Sequence, residues 1–176
     1  MSVLAQRLLS IDAALDTAGI AHAFGGAIAL AYCTKEPRAT IDLDINIFIA
    51  HEIADGALIA LPPPVRISAA NRRELASTGQ TRAWWDTTPL DLFFDTHPFH
   101  HIVASRVRRV PFADSSIPVL DCTSLAVFKA MGNRTKDWAD LEAMAHAGQL
   151  EVVAVTAMLK DILGDDPRLE RLATLD

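Results

Sequence analysis

Apolar residues recur at helical spacing at Leu4, Leu8, Ile11 and Leu15, and Gly19 offers a stop, so the pattern predicts a helix over residues 3–18. Ile20 to Phe24 is a short apolar strand that runs straight into Gly25-Gly26, and the small-residue stretch Ala27 to Cys33 suits a buried helix. Thr34 to Arg38 is a polar loop containing Pro37. Strict alternation over Thr40 to Ile49 then gives the strongest strand pattern in the chain. Ala54 to Leu61 reads as a helix ended by Pro62-Pro63-Pro64. Val65 to Ser68, Thr81 to Trp85 and Leu90 to Asp95 are further strands, the last two a hairpin through Asp86 to Pro89. Asn71 to Ala76 fits neither period.

Arg106 to Phe112 and Ile117 to Leu120 are strand candidates. From Asp121 onward the pattern is helical: Thr123 to Met131, Lys136 to His146, Glu151 to Leu163 and a short tail. The elements describe an α/β chain, a mixed sheet flanked by helices with a helical carboxyl-terminal portion. Residues 1–120 would form the core, and residues 121–176 would pack on it within one structural unit.

Composition narrows the setting. At 176 residues and 51% apolar content, the chain can bury a substantial core. Its net charge of −6 argues against a general nucleic-acid coat protein, but a local basic surface remains compatible with it. Cys33 and Cys122 are too few and too isolated in sequence for a disulfide framework or a zinc site, which points to a reducing compartment. The N-terminus carries no basic leader or cleavage site, and no apolar run reaches the about 18 residues of a membrane span. The expectation is a soluble cytoplasmic protein with no membrane partner.

Candidate chemistry lies in three aspartates behind the glycine pair. In Thr40-Ile-Asp-Leu-Asp-Ile-Asn46, Asp42 and Asp44 would point to one face of a strand while Ile41, Leu43 and Ile45 point to the other. Taken alone, this alternation equally suits the solvent face of a half-buried sheet. Asp91 in Pro89-Leu-Asp-Leu-Phe-Phe94 repeats it on a second strand, opposite to Leu90, Leu92 and Phe94. Two strands with aligned carboxylates favour a site for a hard divalent cation, because aspartate is depleted in strands and like charges on one face repel. Gly25-Gly26 at a strand-to-helix junction would let a phosphate approach bare backbone at a helix N-terminus. On its own the pair is better explained as a tight turn, and neither a GxxxxGK[ST] nor a GxGxxG pattern occurs.

These residues carry a resemblance. Gly25-Gly26, the run Arg38-x-Thr40-x-Asp42-x-Asp44, and Asp91 in an apolar strand resemble the nucleotidyltransferase superfamily that shares the fold of DNA polymerase beta. The segment Leu120-Asp-Cys-Thr-Ser-Leu-Ala-Val-Phe-Lys129, followed by Arg134-x-Lys136-Asp137-x-x-Asp140-Leu141, is similar to the second block of the AbiEii-type nucleotidyltransferases, a group that includes toxins of toxin–antitoxin pairs. The resemblance spans about residues 20–145, and Gly26 stands where many members carry serine. It implies transfer of a nucleoside monophosphate from an NTP to an acceptor hydroxyl. Asp42, Asp44 and Asp91 would be catalytic and would hold two Mg²⁺ ions, with Mn²⁺ as an alternative. Gly25, Gly26, Arg38, Thr40, Lys129 and Asp137 would bind the nucleotide, Asp137 by bracing Lys129 or the site wall. The implied acceptor is tRNA or another RNA, a protein or a small molecule, and an antitoxin is an implied partner. The alternative function is a non-catalytic module of this fold that binds a protein or a nucleic acid.

Other signals are weaker. Without the resemblance, Lys129 is as readily a solvated helix lysine, and Arg134, Lys136, Asp137 and Asp140 are spaced for ordinary surface ion pairs. His97, His100 and His101 read as loop histidines because Pro98 interrupts helical geometry. Trp84-Trp85 reads as hairpin packing before base stacking. Arg72-Arg73 and Arg106, Arg108 and Arg109 suit a charged sheet edge or phosphate contacts equally.

Overall fold

The computed structural model describes residues 1–175; Asp176, the last residue of the expected helical portion, lies outside the described residues. A single sheet organises the molecule. Its strands are β1 (His22–Phe24), β2 (Leu43–Ala50), β3 (Val65–Arg66), β4 (Gln80–Trp85), β5 (Thr88–Asp95), β6 (Arg108–Phe112) and β7 (Ser115–Val119), in the order β3-β4-β5-β2-β1-β7-β6. β2 and β5 run parallel at its centre, β1 and β7 are also parallel, and the remaining neighbours are antiparallel. The helices are α1 (Val3–Thr17), α2 (Gly26–Thr34), α3 (Asp55–Ala60), α4 (Ala69–Thr78), α5 (Phe99–Arg106), α6 (Cys122–Gly132), α7 (Thr135–His146), α8 (Val152–Leu163) and α9 (Pro167–Ala173).

The alternation along the two central strands sorts side chains as expected. Leu43, Ile45 and Ile47 of β2 and Leu90, Leu92 and Phe94 of β5 are buried in the core, where Leu8, Ile11 and Leu15 of α1 join them. The opposite face carries Asp44, Asn46, Asp91 and Phe93. Trp84-Trp85 is divided by the same pleat. Trp85 packs against the core beneath Arg7, whereas Trp84 is 45% exposed.

Four sequence expectations are corrected. β2 begins at Leu43, so Asp42 belongs to the lead-in, where Thr40 Oγ1 donates to its carboxylate at 2.5 Å. Pro98 starts a helix instead of interrupting one, because a proline at a helix entrance has no N–H to lose, and His100 and His101 therefore lie on α5. The ambiguous segment around Asn71 is α4, set by a reciprocal cap between Ser68 and Asn71. Cys33 and Cys122, isolated in sequence, are disulfide-bonded with Cα atoms 5.6 Å apart, which ties the end of α2 to the start of α6. The pairing removes the cysteine argument for a reducing compartment.

The carboxyl-terminal helices are anchored by specific contacts. Arg168 donates to the Met131 carbonyl at 3.0 Å, and the Arg171 guanidinium lies 4.2 Å over the ring of buried Trp138. No helix among the described residues is long and apolar enough to cross a membrane.

Candidate active site

β1 ends at Phe24, and the chain turns at Gly25-Gly26 directly into α2. Gly26 has φ +50°, and a Cβ there would overlap the Asp44 carboxylate. Glycine is thus required both by backbone conformation and by the close approach of Asp44. The Gly25 N–H donates to the Asp44 carbonyl at 2.9 Å, which fixes the turn against β2. Asp44 and Asp91 occupy paired positions on the parallel strands β2 and β5. Asp42 joins them around a basin of about 360 Å³, whose rim also carries Arg38, Arg82, Lys129, Arg134 and Lys136.

Burial first, and then the neighbouring charges of Asp42 and Asp91, push the Asp44 carboxyl up to about 6, against the opposing pull of Lys129 and Lys136. Asp91 is held differently. Arg82, directly opposite on β4, donates from Nε and Nη2 to its two oxygens at 2.6 and 2.7 Å. Arg82 was not among the residues singled out from the sequence, because its pairing with Asp91 depends on strand register.

The basin wall is an ionic network built on two buried carboxylates, Asp137 and Asp140. Lys129 is only 11% exposed along its side chain, and its Nζ donates to Asp140 at 2.7 Å and lies 3.6 Å from Asp137. Arg38 donates to the other Asp140 oxygen at 2.7 Å, which brings together residues 102 positions apart. Arg134 caps α7 through Asp137, donating from its backbone N–H and from its guanidinium. Burial alone would raise the Asp137 carboxyl, but those hydrogen bonds and the charges of Arg134 and Lys129 hold it below its ordinary value. The i,i+3 pair Arg134–Asp137 forms as its spacing suggests, but its carboxylate and that of Asp140 are buried and flank Lys129, the bracing position that the resemblance implied for Asp137. Asp140 is the principal partner of Lys129, with Asp137 secondary.

A hard divalent cation is compatible with the donor set of Asp42, Asp44 and Asp91, since all are oxygen ligands and the charges of Asp42 and Asp91 crowd Asp44 despite the pull of Lys129 and Lys136. Their oxygens do not all lie within 4.8 Å of one another. Among the described residues, that spacing is reached by Asp12, Asp16 and His22. His22 lies on the sheet face opposite Asp44, since it is paired with Ile47. This second cluster already has a cation, because Arg109 approaches both carboxylates at 3.5 Å. His22 is held between Ile20 O at 2.9 Å and Asp12 at 3.0 Å, so the cluster ties α1 to β1 and β6.

Three of the other arginines singled out from the sequence are engaged elsewhere. Arg72 pairs with Asp55, Arg106 with Asp121, and Arg109 with Asp12, Asp16 and Ser116.

No family model matches the chain, and no curated protein does. Solved structures do. The chain is similar to the antibiotic-resistance factor ANT(2'')-Ia, with a TM-score of 0.60 and 12% identity over 98% of both chains. It is also similar to an antigenic nucleotidyltransferase-like protein from Paracoccidioides brasiliensis, with a TM-score of 0.47 and 14% identity over 100% of this chain and 95% of that one. JHP933 from Helicobacter pylori matches with a TM-score of 0.47 and 15% identity over 100% of this chain and 81% of that one. The likeness to ANT(2'')-Ia shows a shared fold, and the seven-stranded mixed sheet flanked by helices is consistent with a nucleotidyltransferase-like fold.

Proposed function

We propose that the protein is a nucleotidyltransferase that moves a nucleoside monophosphate from an NTP to an acceptor hydroxyl. The observation that carries this reading is the juxtaposition of Asp44 and Asp91 on paired strands beside the Gly25-Gly26 turn, in a basin rimmed by five cationic side chains. The bond that forms joins the acceptor oxygen to the α-phosphorus. The bond that breaks is the one to the β-phosphate bridging oxygen, and pyrophosphate leaves. Asp42, Asp44 and Asp91 would hold Mg²⁺, or Mn²⁺, which when bound neutralises the triphosphate and acidifies the attacking hydroxyl.

Gly25 and Gly26 leave the start of α2 open to phosphate oxygens. Lys129, fixed by Asp140 and Asp137, presents a positioned charge to the leaving group, while Arg38 and Arg134 extend that positive wall. Thr40 orients Asp42 by its hydroxyl hydrogen bond. Asp91 would take the proton of the hydroxyl, a role that requires Arg82 to release at least one of the two oxygens it holds. The acceptor class that the motif resemblance supports is RNA, tRNA included, with a protein or small molecule as the other candidates. The same resemblance supports an AbiEii-type toxin acting with an antitoxin.

One observation favours a second reading, a non-catalytic module that binds a protein or nucleic acid: Arg82 occupies both oxygens of Asp91. Thermal melts separate the two. For the enzyme, NTP with Mg²⁺ should raise the melting temperature well beyond either alone, and Asp44→Asn should abolish the increment. Equal response of wild type and variant would favour the binding module.

A further inference from the structure

Beyond Asp44 the cleft opens into a second lobe of about 280 Å³ with a different character. Its floor continues that of the basin: Asn46 lies two residues past Asp44, Phe93 two past Asp91, and Gln80 is paired with Phe93 across β4 and β5. The volume sits at the lower end of small-molecule pockets, about 300 Å³, so it suits one planar ring system and not a polypeptide segment.

The walls suit such a ring. Both Phe93 and Phe94 line the lobe, but Phe94 is buried in the core, whereas Phe93 on the opposite face is not part of it. Phe128 of α6 lines it too, with the His100 ring tilted against it at 5.6 Å between centroids. His100 is 9% exposed, and its Nδ1 lies 3.1 Å from the His97 carbonyl, nearer than the 3.5 Å approach of the Thr96 N–H. With the Nδ1 proton donated to that carbonyl, Nε2 is left as an acceptor, and no hydrogen bond reaches it among the described residues. Burial lowers the pKa of His100, which keeps the ring neutral at physiological pH.

We infer that this lobe receives the nucleobase of the donor NTP, stacked on Phe93 and Phe128, with His100 Nε2 accepting from an exocyclic amino group and Gln80 reading the remaining edge. The inference rests on the nucleotidyltransferase reading. It is tied to the donor nucleotide because Gly26 and Lys129, the proposed triphosphate contacts, line this lobe as well as the basin. One nucleotide can then span both, with its phosphates among the cations and its base among the aromatics. With His100 placed at the purine 6- or pyrimidine 4-substituent, an acceptor nitrogen favours the N6 and N4 amino groups of adenine and cytosine over the O6 and O4 keto oxygens of guanine and uracil, whose 2-amino group, in guanine, lies at the other end of the edge.

Calorimetric titration of the full chain with Mg²⁺ and either inorganic tripolyphosphate or each of the four NTPs tests this. ATP or CTP should bind about tenfold more tightly than tripolyphosphate, the order expected for one stacked base. Phe93→Ala should remove most of that advantage and lower tripolyphosphate affinity far less, since Phe93, although it also borders the basin, offers phosphate no charge. His100→Phe should erase the preference for amino over keto bases. Wild-type NTP affinity no better than that of tripolyphosphate, or a Phe93→Ala loss shared equally by tripolyphosphate, would overturn the base-lobe inference alone. Binding of neither ligand to wild type would remove the nucleotidyltransferase reading and this inference with it. Adenosine should compete with ATP; adenosine binding to ATP-saturated protein would assign the lobe to the acceptor and overturn the inference.

Discussion

Replacing Asp44 by asparagine should stabilise the metal-free protein, and the gain should grow with pH. The carboxyl stands at about 6 in the folded chain against an ordinary value of 3.8. Because the folded-state value is raised, the folded state holds the proton more tightly than the unfolded one between those two points. Stability is therefore greatest below about pH 4 and is lost as pH rises through 6. At about 1.36 kcal/mol per pH unit, the loss reaches about 3 kcal/mol above pH 7 and about 1 kcal/mol at pH 4.5.

Asparagine keeps the shape and never ionises, so Asp44→Asn should exceed wild type by those margins, about 6–12 °C in melting temperature at pH 7.5 for a chain of this size. Thermal denaturation of both proteins in EDTA, from pH 4.5 to 8, reads the difference directly. Mg²⁺ should reverse the order by stabilising wild type more than the variant. A gap independent of pH, or a wild type at least as stable as the variant in EDTA at pH 7.5, would show that Asp44 is not a crowded, half-buried carboxylate.

Gly26→Ser should lower stability by at least about 1 kcal/mol, from the positive φ alone, and abolish transfer by displacing Asp44; wild-type activity in this variant would refute the close approach of Asp44 to the turn. Asp140→Asn should cost about 3 kcal/mol in denaturant unfolding, because Lys129 and Arg38 lose a shared buried partner, and NTP affinity should fall with it. Reduction of the Cys33–Cys122 disulfide, which closes a loop of 89 residues, should cost up to about 4–5 kcal/mol. Free-thiol titration of the unreduced protein checks the bond itself, and two reactive thiols there would contradict it.

The site was legible in the sequence wherever its logic is local. Alternation placed Asp44 and Asp91 opposite the core residues, and the glycine pair marked the strand-to-helix turn between β1 and α2, because both signals need only neighbouring residues. The partners that constrain these groups are set by register and packing. Arg82 meets Asp91 only once β4 and β5 are aligned. Asp140 meets Arg38 across 102 positions, and Cys33 meets Cys122 only when α2 and α6 pack together. For Asp137 and Asp140 the spacing alone was ambiguous, because i,i+3 looks the same on a solvated helix face and on one turned toward a buried lysine; only the resemblance pointed to Asp137 as a brace for Lys129. Pro98 misled because proline both ends and begins helices, and its neighbours along the chain decide which.

The most direct test of the proposed transfer is a labelling experiment with NTPs carrying radioactive phosphorus at the α or the γ position, incubated with the protein, Mg²⁺ and total RNA. The expected result is α-label joined covalently to an acceptor, unlabelled acceptor with γ-NTP, release of pyrophosphate, and loss of all transfer in Asp44→Asn. Undiminished transfer by Asp44→Asn, or γ-label on the acceptor in place of α-label, would contradict it.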